Sequence, residues 1–134
     1  MRVVESLVIA ADPARVWKLG GDTANIADWV PAIEKSHQEG DVRHATFAGG
    51  GGEATERIVE HDDAARSYVY EYLSGPLALK SYRSRFSVRE HAEGAEVVWD
   101  AEFTAENAAE EPALAEAIRG IYRAAMESLA EKIR

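Results

Sequence analysis

Leu114, Ile118, Ile121, Tyr122, Ala125, Leu129 and Ile133 recur at three- and four-residue steps along the last part of the chain. That spacing predicts one long helix with a single apolar stripe. Glu116, Arg119, Arg123, Glu127, Glu131 and Lys132 fall mostly off the stripe. Fully burying a large apolar side chain contributes about 1.5–3 kcal/mol, so the stripe needs a cover. The preceding residues must supply it, and most of them read as strand.

Residues 3–11 are β-branched and mostly apolar, and predict a first strand. Asp12-Pro13 stops it and starts a short helix, with Asp as N-cap and Pro at the first helical position. Gly20-Gly21 ends that helix. Asp22-Thr23 predicts a second short helix running to about Trp29, closed by Pro31. Strands follow near residues 33–38, 42–48, 53–61, 66–73, 79–90 and 95–104, separated by short glycine-, proline- and aspartate-bearing turns. Turns this short join antiparallel neighbours. The expectation is an α+β fold: a curved antiparallel sheet of about seven strands around the C-terminal helix, with two short helices after the first strand. Such a sheet closes imperfectly over a helix and leaves a cavity.

At 134 residues the chain fits one domain spanning 1–134. It has no cysteine, which removes disulfides and thiolate metal sites. A net charge of −9 argues against nucleic acid and anionic membrane surfaces as partners. The first residues do not read as a signal peptide, and no window approaches the roughly 20 apolar residues of a membrane span. A cytoplasmic location is expected, with no membrane insertion. His37, His44, His61 and His91 lack metal-ligand spacing, and residues 49–52 lack the Lys-Ser/Thr of a phosphate loop. Neither a metal nor a cofactor is expected. Oligomeric state is left open, with a homodimer among the options.

Polar groups on inward strand faces are costly unless something pairs with them, and a ligand is one such partner. Alternation places Glu56 with Ala54 and Ile58, Tyr70 with Tyr68 and Tyr72, and Tyr82 with Ser84 and Phe86. An inward Glu56 would anchor a ligand hydroxyl or move a proton. The alternative is a solvated carboxylate near Arg57 or Arg85. On residues 95–104, hydrophobicity turns Val97, Trp99 and Phe103 inward, while a one-residue slip would turn Asp100 inward instead.

The order of elements resembles the helix-grip (SRPBCC, START-like) superfamily. This superfamily includes START-like lipid carriers, bacterial polyketide cyclases and dehydratases, birch-pollen-allergen (Bet v 1-type) proteins and plant abscisic-acid receptors. Asp12-Pro13-Ala14-Arg15-Val16-Trp17, Trp29-Val30-Pro31, Gly75-Pro76-Leu77, Tyr82-Arg83-Ser84 and Val97-Val98-Trp99 carry the resemblance. It implies a gated cavity. By similarity to the receptors, Glu56, Tyr70, Tyr82 and Ser84 would face it, and their pocket glutamate on a later strand would fall on Asp100. Gly49, Gly50, Gly51 and Gly52 would form a mobile gate, and Gly75, Pro76 and Leu77 part of a latch. The receptors' anchoring lysine would fall near Val30, their gate Leu-Pro pair is replaced by glycine, and their latch His-Arg pair is missing. Abscisic-acid sensing is therefore not implied.

Trp29, Trp99, Ile118 and Tyr122 complete the expected ligand-binding set. The leading expectation is a small hydrophobic or aromatic ligand, held for carriage or sensing. One alternative is a polyketide cyclase- or dehydratase-like enzyme in which Glu56, Tyr82 or Asp100 shuttles protons. Another is an interaction or chaperone-like module without a ligand.

Overall fold

A computed structural model describes residues 1–134. Strand β1 (Arg2–Ile9) leads into α1 (Pro13–Gly20), whose first turn is capped by Asp12 Oδ1 accepting from the Ala14 N–H at 2.8 Å. The second short helix is a 3-10 turn, Thr23–Asp28, kinked at Asn25. The Asp22 carboxylate accepts from the Asn25 side chain instead of capping a backbone N–H, so no α-helical start is set. Ser36 Oγ holds the turn in place, accepting from Ala27 N–H and donating to Ala24 C=O.

Six strands follow: β2 (Ile33–Glu39), β3 (Val42–Phe47), β4 (Glu53–Asp62), β5 (Ser67–Ser74), β6 (Leu79–His91) and β7 (Gly94–Ala105). Each pairs antiparallel with the next, and β1 joins at the far side of β7, giving one sheet of order β1-β7-β6-β5-β4-β3-β2. Helix α2 (Glu111–Ile133) lies in the curve of the sheet. It buries Ala115, Ile118, Tyr122, Ala125, Met126, Leu129, Ala130 and Ile133, close to the stripe that its sequence spacing predicts. No helix is long and apolar enough to cross a membrane.

The β6–β7 register settles which face of residues 95–104 turns inward. Phe86 is opposite Trp99 and Arg85 opposite Asp100. Trp99 is buried in the core, while Asp100 stands on the outer face. There Arg2 reaches it with Nε at 3.0 Å and Nη2 at 2.7 Å. That ion pair holds the Asp100 carboxyl below its ordinary pKa. The cavity role considered for Asp100 is thereby corrected: twelve uninterrupted residues of β7 alternate from Gly94, and the apolar set takes the inner face.

Candidate functional site

Between the concave face of the sheet and the N-terminal half of α2 lies an interior cavity of about 60 Å³. Ile26 and Val30 close it on the side of the 3-10 turn, and Phe47 and Ala54 lie to either side of the glycine turn. Tyr70, Tyr82 and Trp99 form its sheet wall, with Ile118, Ile121 and Tyr122 opposite on α2. Arg43 and Glu56 are the charged residues of the lining; the other residues around it are apolar or aromatic.

Arg43 is fully buried, and the Glu56 side chain is only 13 % exposed. They are register partners across β3 and β4. Arg43 Nε donates to Glu56 Oε1 at 2.9 Å. Nη2 also lies 2.9 Å from Oε1 but makes no well-directed hydrogen bond. Nη1 donates to Thr23 C=O at 3.3 Å and to the Tyr68 hydroxyl at 3.4 Å. The guanidinium also stands 4.8 Å from the Tyr70 ring centroid and 5.6 Å from that of Tyr68, within cation–π range. Burial works against the charge, but Glu56, Tyr68 and Tyr70 outweigh it, and the Arg43 pKa rises. Both protein contacts of Glu56 end on Oε1, and no protein group donates to Oε2. Glu56 belongs to the cavity wall, and its Oε2 is a carboxylate oxygen with unused acceptor capacity.

A chain of hydroxyls runs beside this pair. Trp99 Nε1–H donates to Tyr70 Oη at 3.2 Å, and Tyr70 and Tyr82 share a hydrogen bond of 3.0 Å. Tyr82 bonds Tyr122, and Tyr122 bonds Ser84 Oγ at 3.1 Å. Trp99 stacks on Tyr122 with ring centroids 4.1 Å apart. Burial pushes Tyr70, Tyr82 and Tyr122 well above the usual phenol pKa. They are neutral at physiological pH, and their hydroxyls satisfy one another.

Two residues of the expected ligand-binding set stand back from the open space. Trp29 packs behind the wall, with ring centroids 5.5 Å from Phe86 and 5.7 Å from Trp99. Ser84 is buried and meets the cavity only through Tyr122. Glu56, Tyr70, Tyr82, Trp99, Ile118 and Tyr122 line the cavity together. Glu56 does not pair near Arg57 or Arg85: Arg57 faces Asp41 and Arg85 faces Glu60. The four histidines lie off the lining, with His37 and His44 stacked across β2 and β3 at 4.6 Å. No group of three or more His, Cys, Asp or Glu is placed to hold a metal ion.

The expected gate is a short 3-10 turn, Ala48–Gly50, continued by Gly51 and Gly52. Gly49, Gly50 and Gly52 have φ of 69°, 75° and 94°, which side chains rarely adopt. Gly52 lies against Pro76, where an added Cβ would sit 3.5 Å from the ring. A Cβ on Gly75 would stand 2.2 Å from Tyr72 Oη, which accepts the Leu77 N–H at 3.0 Å. Tyr72 thereby fixes the loop that presents Leu77 to the cavity.

The residue that sequence reasoning missed is Arg43. Its signal was available: Ala45 and Phe47 define the inner face at period two, and Arg43 is next on that face. A larger hollow of about 410 Å³ lies between the end of β1 and the last turns of α2. It is a surface groove edged by Arg15, Glu127, Glu131 and Arg134. The interior cavity is the better candidate because buried polar groups converge on an apolar enclosure there.

The family model described as polyketide cyclase / dehydrase and lipid transport matches residues 1–134. Among solved structures, the chain is similar to the protein XoxI from Bacillus cereus, with 30% identity, a TM-score of 0.88 and coverage of 98% of this chain and 94% of that one. An uncharacterised protein from Bacillus thuringiensis matches with 28% identity, a TM-score of 0.90 and coverage of 99% and 98%. A START superfamily protein from Mycobacterium smegmatis shares the fold at 11% identity and a TM-score of 0.82, over 98% of this chain and 96% of that one. Comparison with curated proteins gives no match.

Proposed function

Because the chain belongs to the polyketide cyclase / dehydrase and lipid transport family, we propose that it binds a small apolar or aromatic molecule in the interior cavity, for carriage or sensing. The observation that carries this reading is the lining: aromatic and aliphatic throughout, except for one buried ion pair. Trp99 and four tyrosines, Tyr70, Tyr72, Tyr82 and Tyr122, make the lining aromatic enough to suit a ring system.

Small-molecule sites usually span about 300–1,000 Å³, and this cavity offers about 60 Å³. A ligand is therefore admitted by parting the glycine turn from the loop that holds Pro76 and Leu77. Gly52 and Pro76 form the seam, and the open space around Gly49 and Gly50 leaves the turn free to swing.

Binding is favoured over catalysis because the hydroxyls of Tyr70, Tyr82 and Tyr122 are neutral and bonded to one another, that of Tyr72 is held by Leu77, and no histidine reaches the cavity. That leaves Glu56 Oε2 as the proton acceptor an enzyme would have to use.

The test is a titration with the neutral fluorescent probe N-phenyl-1-naphthylamine, on the wild type and on Ile121→Trp, which fills the cavity from α2. A saturable rise with the wild type and its loss in the variant, with the folded spectrum retained, is the expected result. Equal binding by both proteins would overturn the reading.

A further inference from the structure

The geometry points to a ligand that is uncharged and presents a hydrogen-bond donor, an alcohol or a phenol, to Glu56 Oε2, with carboxylic acids disfavoured. This rests on the cavity reading above.

The two charged groups of the lining cancel each other. The charge of Arg43 is balanced by Glu56, with Nε donating to Oε1 and Nη2 2.9 Å from the same oxygen, while Nη1 donates to Thr23 C=O and Tyr68 and the guanidinium lies against the rings of Tyr68 and Tyr70. An incoming anion would have to share this one cation with a carboxylate already in contact with it. The acceptor left over is the opposite of what an anion needs: a carboxylate oxygen with no donor. A fatty or aromatic acid would bring a second negative charge against Glu56 in a low-dielectric enclosure, with no proton to share. An ammonium would meet Oε2 but would compete with Arg43 for the one carboxylate and give up its own hydration. A hydroxyl donates one hydrogen bond to Oε2, adds no charge and leaves the ion pair intact. The neutral tyrosines add nothing that would reverse this order, since the hydroxyls of Tyr70, Tyr82 and Tyr122 are bonded to one another and that of Tyr72 is held by the Leu77 backbone.

The test uses three matched probes at about pH 7, where the phenol is neutral and the acid ionised: naphthalene, 2-naphthol and 2-naphthoate. Each competes with N-phenyl-1-naphthylamine on the wild-type protein. The expected result is that 2-naphthol binds about tenfold or more tightly than naphthalene, as a hydrogen bond to a charged acceptor confers, and that 2-naphthoate binds worst. In the double variant Arg43→Met/Glu56→Leu the advantage of naphthol over naphthalene should fall to about twofold or less. If naphthoate matches naphthol in the wild type, or the folded double variant keeps the preference, the inference is overturned while the cavity reading stands. If the fluorescent probe itself is not held and naphthalene binds nowhere, the cavity reading fails and takes the inference with it. The wild-type ranking decides the matter even if the double variant does not fold.

Discussion

Arg43 concentrates the energetics of the site in one side chain. It is fully buried in the sheet, and Glu56 is its one anionic partner. Removing one member of a buried pair strands the other, at a cost of about 3–5 kcal/mol, whereas replacing both with apolar groups is often near neutral. Arg43→Met is therefore expected to lower the urea-unfolding free energy by about 3–5 kcal/mol, and adding Glu56→Leu should recover most of the loss. A loss under about 1 kcal/mol for the single variant would show the pair to be solvated and peripheral. Sequence reasoning could place Glu56 inward from its neighbours Ala54 and Ile58. It passed over Arg43 because a strand arginine ordinarily reads as surface, and only the cross-strand register reveals its partner.

Elements were the most legible level. All seven strands and both α-helices follow from periodicity and turn residues, because each hairpin is local and most inward positions are apolar. What could not be read locally was the 3-10 turn at Thr23–Asp28, since it depends on Ser36 from β2. The strand 95–104 needed a choice between two registers, and the burial of Trp99 decided it. At the same scale, the loop after β5 is set by Gly75, whose missing Cβ leaves room for Tyr72. Gly75→Ala is expected to destabilise by about 1–3 kcal/mol through overpacking and backbone strain, and to loosen the seat of Leu77. Urea unfolding with an unchanged midpoint would show that the loop relaxes freely.

The whole molecule is a thin sheet folded over one helix, and its interior is filled by aromatic rings more completely than the sequence implied. Alternation could point Tyr70 and Tyr82 inward, but not show that they would bond each other and Tyr122 and leave only about 60 Å³. One consequence involves every tyrosine. Burial raises the pKa of Tyr68, Tyr70, Tyr72, Tyr82 and Tyr122, which are all five in the chain. The unfolded chain releases these protons near pH ~10, before the folded one does. Their stabilising contribution is thus complete below about pH 10 and is lost as pH rises toward the raised folded values. Spectrophotometric titration should show no tyrosinate in its ordinary range, followed by a cooperative rise that coincides with unfolding. A smooth transition of several tyrosines near pH 10 without unfolding would contradict this picture of the core.

The central claim is that the interior cavity, and not the larger surface groove, takes the ligand. Isotope-filtered NOE spectra of the protein with N-phenyl-1-naphthylamine address it directly. Cross-peaks from the probe to the methyl groups of Ile118 and Ile121, which line the cavity, are the expected result. Cross-peaks confined to Leu7, Val8 and Ile133, which line the groove, would contradict it.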